Sequence, residues 1–131
     1  MPKQVNFLDK LKSPKRFKKL KDGWIRDKVL DLDWGPSSTT TMTWKDAEKY
    51  CKDQGGRLPE LQELQALVDY SKRFPAINSI FSDIKTDDYY WSATLGAGYP
   101  GFAWCVNFYY GSVDYWNEDG NVYVRPCRSS Q

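Results

Sequence analysis

Phe102-Ala103-Trp104-Cys105-Val106-Asn107-Phe108-Tyr109-Tyr110-Gly111-Ser112-Val113-Asp114-Tyr115-Trp116 is the stretch that decides the class of fold. Val106 and Phe108 alternate with Asn107 and Tyr109, while Ser112, Asp114 and Trp116 alternate with Val113 and Tyr115. Period-two alternation marks strands with one buried face. Gly111 stands where a tight turn joins the two segments. Stretches 89–94 and 121–127 are also of β type, and Asp119-Gly120 before the latter is a hairpin signal. Four such segments in a row read as an antiparallel meander.

Upstream the period changes. Thr43 is placed to cap a helix, its hydroxyl accepting from the Asp46 amide. Trp44, Ala47, Tyr50 and Cys51 then fall on one helical face, and Gly55-Gly56 ends the run. Pro59 opens a second helix with Leu61, Leu64, Leu67 and Val68 as its apolar stripe. Residues 22–34 read as extended: Leu30, Leu32 and Trp34 alternate with Asp31 and Asp33, as in a half-buried strand. A strand, two helices and then a meander predict an α+β domain, with two helices packed on a twisted antiparallel sheet.

The chain has 131 residues, enough for one domain with one core. Six Trp, nine Tyr and six Phe exceed what that core can enclose, so some rings stay at the surface. Charge is unevenly distributed. Residues 1–21 hold Lys3, Lys10, Lys12, Lys15, Arg16, Lys18, Lys19 and Lys21 against the single acid Asp9, while the remainder is net acidic. The sequence therefore divides into a basic N-terminal arm, 1–21, and a ligand-binding domain, 22–131. Two readings of the arm stay open. It is a solvated tail that packs a few apolar side chains on the body, or a contact for a particle, nucleic acid, anionic lipid or another subunit.

There is no apolar run of signal-peptide or membrane-span length, so the expectation is no signal peptide and no membrane insertion, with cytoplasm or a phage or virus particle as the place. In that setting Cys51, Cys105 and Cys127 read as reduced thiols. The sequence contains no histidine, the commonest general base, and none of its cysteines lies in a Cys-x-x-Cys pair. The expectation is a protein that is not an enzyme and takes no cofactor. Asn117-x-Asp119-x-Asn121 lacks the ligand ladder and final Glu of a Ca²⁺ loop, so no metal is expected there.

Several separated pieces together resemble one family. They are Thr43-Trp44 with Ala47 and Tyr50-Cys51, then Gly56-Arg57-Leu58-Pro59 with Glu63-Leu64 and Leu67-Val68, then Pro75-Ala76-Ile77-Asn78, Tyr90-Trp91-Ser92, Ala103-Trp104-x-Val106-x-Phe108-x-x-Gly111 and Tyr123-Val124-Arg125. In this order they resemble the Lcl C-terminal domain family, DUF1566, over about residues 23–128. The resemblance implies a C-type-lectin-like fold and an adhesin-type binding domain. Some members look like the variable proteins of diversity-generating retroelements, whose C-terminal surface is diversified for ligand binding. It also implies a helix-to-last-strand disulfide from Cys51 to Cys127. Here Cys127 sits one residue later than in many relatives, and one residue reverses the facing in a strand.

Within 94–121, the positions outside the family pattern are the candidate site. Tyr99, Asn107, Tyr109, Tyr110, Ser112, Asp114, Trp116, Asn117 and Asp119 are expected to bind a protein or glycan ligand. Tyr and Trp supply contact area at low entropic cost, and Ser, Asn and Asp adapt their hydrogen bonds. Arg57 and Arg125 read as scaffold residues, Arg125 paired with Glu63 or Asp69. Two rival functions remain: a structural or adhesin-type domain of a phage or surface fibre, and nucleic-acid binding through the arm.

Overall fold

The computed structural model describes residues 6–131, and the start of the basic arm, with Lys3, lies outside the described residues. Its elements in chain order are α1 (Phe7–Leu11), β1 (Phe17–Lys19), β2 (Ile25–Asp27), β3 (Leu32–Trp34), α2 (Trp44–Asp53), α3 (Leu61–Gln65), β4 (Tyr90–Leu95), β5 (Phe102–Asn107), β6 (Ser112–Asn117) and β7 (Cys127–Ser129). The fold is α+β with two antiparallel sheets, one ordered β1-β2-β3-β7 and the other β4-β5-β6.

Residues 22–34 do not form the single strand expected. The chain folds back between β2 and β3, where Asp31 adopts φ 54°. Asp27 organises the reversal by accepting from the amides of Val29 and Leu30. Asp33 is not on a wet face either; it is fully buried. The alternation misleads because its cross-strand neighbours are Arg26 and Arg128, which both donate to its carboxylate. Opposite charges directly across a sheet stabilise the pairing.

Part of the basic segment is built into this sheet. β1 lines up with β2, and Arg16 before it is buried with Asp27. Both Asp27 oxygens accept from Arg16, at 3.0 and 2.8 Å, and one also accepts from the Trp34 indole at 3.1 Å. Arg16 spans further, donating to the Ala66 carbonyl at 3.0 Å. The exposed side chains of α1 precede this anchor.

The helices follow local chemistry. Thr43 caps α2 through the Asp46 amide, and Gly55 leaves it at φ 85°, the left-handed exit that glycine allows. α3 is shorter than its apolar stripe: it stops at Gln65, and the Asp69 amide turns back to the Ala76 carbonyl. Gly56 meets β7 so closely that a Cβ there would lie 2.5 Å from the Cys127 carbonyl oxygen. Neighbouring Arg57 and Cys127 exchange backbone hydrogen bonds in both directions.

The expected four-strand meander has only three strands. A turn does form at Asn117–Gly120, but the chain beyond it does not return along β6. Val122 bridges to Met42 and Tyr123 runs parallel to Tyr90, before β7 joins β3 in the other sheet. Residues 122–127 are buried without alternation, which suits a crossing segment enclosed on all sides. Arg125 reaches Asp83 and the Gly35 carbonyl, not Glu63 or Asp69.

The β4-β5-β6 sheet separates two apolar clusters. Tyr90, Val106 and Phe108 face Trp34, Leu64 and Phe81, while Trp91, Ala103 and Cys105 face Ala47, Cys51 and Leu58. β4 and β5 are therefore covered on both faces, and β6 is the uncovered edge.

Two outcomes follow from the charged groups. Asp27→Asn leaves the Arg16 cation buried without a counter-charge, and breaking such a pair costs about 3–5 kcal/mol. Urea denaturation should show that loss, while Lys49→Ala, which removes an exposed pair with Asp53, should leave the midpoint in place. For Asp33, Asp83 and Glu63, burial opposes ionisation, yet arginine partners outweigh it and hold each carboxyl below its ordinary value of 3.8 (Asp) or 4.5 (Glu). The unfolded chain then binds more protons in acid than the folded one. Their stabilisation is complete above the ordinary carboxylate range and is lost as pH falls through the lowered values. The urea midpoint should drop between about pH 6 and about pH 3, and Asp83→Asn should flatten that slope.

Candidate functional site

The register of β5 with β6 sorts the candidate residues. Asn107 lies opposite Ser112, Cys105 opposite Asp114 and Ala103 opposite Trp116, so Asn107, Ser112, Asp114 and Trp116 share a face. On β5 that face is enclosed at Cys105 and Ala103. On β6 it is open, with Ser112, Asp114 and Trp116 exposed; Trp116 rests edge-on against Tyr89 at 6.0 Å.

The other face carries a separate row of rings. Trp104 lies opposite Tyr115 and Phe102 opposite Asn117. Tyr99, from the exposed loop before β5, stacks on Tyr115 at 5.1 Å, and Phe102 and Trp104 meet Tyr115 edge-on. Asn117 and Asp119 are exposed in the turn after β6, where Asn117 accepts from the Asp119 amide.

Tyr109 and Tyr110 form a third group in the β5–β6 turn. Gly111 there has φ 86°, and a Cβ on it would strike Val68 at 2.5 Å and Tyr70 at 3.2 Å. Phe74 packs edge-on to both tyrosines, at 4.6 and 5.2 Å. The nine candidates are thus divided: four by register on one face, Tyr99 on the other, two in the β5–β6 turn and two in the turn beyond β6. Tyr70 and Phe74 were not anticipated from the sequence. The available signal was two aromatic rings within Tyr70-Ser-Lys-Arg-Phe-Pro75, a stretch too polar to enter a core.

Side-chain hydrogen bonds in the region are local. Asn107 holds the Tyr109 amide and Asp114 holds its neighbour Tyr115, so these two also shape their own backbone. Asp114 thereby occupies an amide on the free edge of β6, which discourages another strand from pairing there.

The thiols belong to the interior. Cys51, Cys105 and Cys127 are free and buried. Burial, with the Cys127 sulfur nearby, pushes Cys51 up to about 12. Burial also raises Cys127 to about 12, despite Arg57, and raises Cys105. Nucleophilic and metal-binding chemistry needs the thiolate. Among the described residues, no group of three or more His, Cys, Asp or Glu side chains gathers to hold a metal, and no helix is long and apolar enough to cross a membrane.

The family described as the Lcl C-terminal domain matches residues 23–128. A search of curated proteins finds no match.

The buried, protonated thiols should be silent towards a thiol reagent such as Ellman's at neutral pH. All three should react once urea unfolds the chain. A cysteine that reacts rapidly in the native state would contradict the enclosed, neutral thiols described here.

Proposed function

The chain belongs to the Lcl C-terminal domain family, and from that premise we propose that it is a binding module of C-type-lectin-like architecture, not a catalyst. Its ligand is a protein or glycan, held by the open side of β6 and the turns at its two ends. The observation that carries this reading is the contrast across one hairpin. β5 is enclosed on both faces at Cys105 and Val106, while its partner β6 presents Ser112, Asp114, Trp116 and Asn117 to solvent. Tyr110 and Trp116 are 61% and 45% exposed, a large apolar area for side chains that the core does not use.

A rigid strand beside variable-looking side chains is a favourable base for recognition. Backbone pairing fixes where each side chain points, so affinity is not spent on ordering the surface. Tyr and Trp add contact area with few rotors to freeze, and Ser, Asp and Asn supply polar contacts. Two antiparallel sheets, with the first strands and the last in one sheet, suit the C-type-lectin-like reading. The same side chains suit a diversity-generating retroelement variable protein. They lie outside the two apolar clusters, so exchange there leaves the core contacts in place. The absence of histidine from the sequence, together with thiols held protonated, leaves few groups for acid–base or nucleophilic chemistry.

Comparison of copies of this gene from related genomes tests diversification. Codons for Ser112, Asp114, Trp116 and Asn117 should differ between copies while those for Val106, Phe108 and Gly111 do not. Equal variation at both sets would refute it. Binding is tested by a library randomised at the first set. Most members should melt within a few degrees of the parent, because surface changes usually cost within about 0.5 kcal/mol. Selection on purified proteins and glycans should then yield binders; widespread unfolding would show that these residues belong to the scaffold.

A further inference from the structure

We propose that the loop Tyr70–Phe74, together with Tyr109 and Tyr110, docks an acidic peptide segment of a partner protein bearing an aromatic or leucine anchor. The inference rests on reading the chain as a binding module. It adds a surface drawn from a different part of the sequence, and it names the chemistry of what binds there.

Four large rings are exposed together at this point. Tyr70 and Tyr110 are the most open, at 66% and 61%, with Phe74 at 50% and Tyr109 at 37%. They form one group: Phe74 contacts both tyrosines, these contact each other at 4.7 Å, and Tyr70 lies over Gly111 next to Tyr110. The group is held by backbone. The Phe74 amide donates to the Tyr109 carbonyl at 2.8 Å and the Ala76 amide to the Phe108 carbonyl at 2.7 Å. Those bonds keep Phe74 at φ 63°, a left-handed conformation that bulky residues rarely adopt. Aromatic residues and Arg dominate the energetics of protein recognition when clustered and pre-ordered.

The surroundings select the sign of the partner. Arg73 lies over the Phe74 ring, with its guanidinium carbon 5.2 Å from the ring centre. Lys12 and Lys72 line a cavity of about 580 Å³ that begins beside Tyr70 and runs under α1 over Leu11, Phe17 and Leu67. Asp69 is the carboxylate among the residues lining that cavity, and it already accepts from the Ser71 hydroxyl and amide. Along the apolar trough that leaves Lys12 and Lys72 with one engaged acid, and Arg73 adds a third cation at the Phe74 ring. Clefts of this volume are of the size that holds small ligands or short peptide stretches, about 300–1,000 Å³. Acidic side chains would meet Arg73, Lys72 and Lys12, while one apolar anchor enters the trough. Protein is favoured over nucleic acid because Phe74, Tyr109 and Tyr110 contact one another edge-on, and bases stack on open faces.

The test pans a phage-displayed library of random peptides, about 12 residues long, on the intact chain, followed by titration of a selected synthetic peptide. The expected peptides carry Asp or Glu around an aromatic or Leu. Tyr70→Ser and Arg73→Glu should each weaken the peptide about tenfold or more, and Trp116→Ser should change it little. Both loop residues are exposed, and melting curves confirm that the variants fold. Rising salt should weaken binding. The proposal is overturned if no peptide enriches over a blank surface, if enriched peptides lack acids, or if the two loop variants bind as the parent does. It is also overturned if an oligothymidine competes, or if sedimentation shows self-association that these variants abolish. Loss in Trp116→Ser with the loop variants intact would sink this docking surface while sparing the β6 reading. Uniform codons across gene copies, with loop-dependent peptide binding, would do the reverse.

Discussion

Strands β4 and β5 are packed from both sides, and this constraint organises the rest. Adjacent residues of β4 go to different clusters, Tyr90 to one and Trp91 to the other. Val106 and Cys105 repeat the division on β5. A strand enclosed on both faces cannot display anything, so recognition chemistry is pushed to the edge strand and the turns. Enclosure also fixes register, because a slip of one residue would exchange the contents of two cores. The open edge inherits its geometry from a neighbour that cannot move.

The other sheet buries charge as well as apolar side chains. Asp27 and Asp33 are fully buried, and arginines from separate strands and from the segment before β1 converge on them. Arg16 and Arg128 come from opposite ends of the chain. Their two carboxylate partners tie the first and last strands into the sheet, leaving the middle of the chain to build the β4-β5-β6 unit. Such pairs gain little net energy over apolar packing, but losing one partner is costly. They act as a specification of which strands meet.

Much of this was legible in the sequence, and the failures share a physical cause. Thr43 capping, the Ala47 and Cys51 face, and the Gly111 turn depend on neighbours within a few residues, and each appears as expected. The reading failed where the deciding partner is distant. Asp33 looked solvated because its arginines lie seven and ninety-five residues away. Asp119-Gly120 looked like a hairpin because the signal specifies a turn, not the strand that pairs afterwards. The exposure of Ser112, Asp114 and Trp116 was legible, since alternation in an edge strand reports facing directly. The separation of Tyr99 from Trp116 was not, because it depends on which ring of β6 the loop before β5 reaches. Tyr70 and Phe74 were missed for the same reason as Arg125's partner: a backbone connection across tens of residues places them.

The two surfaces on this scaffold differ in how their side chains are held. On β6 strand pairing sets the directions, and the side-chain contacts are few, Asp114 with the next amide and Trp116 with Tyr89, so exchange there alters few neighbours. At Phe74 and Tyr109 the rings support one another and a left-handed residue, and exchanging one disturbs the others. A surface of the first kind suits changing ligands, and one of the second suits a constant partner. They meet at Asn107, the end of the doubly packed β5, which serves each: paired with Ser112 on the strand side, and hydrogen-bonded to the Tyr109 amide on the turn side.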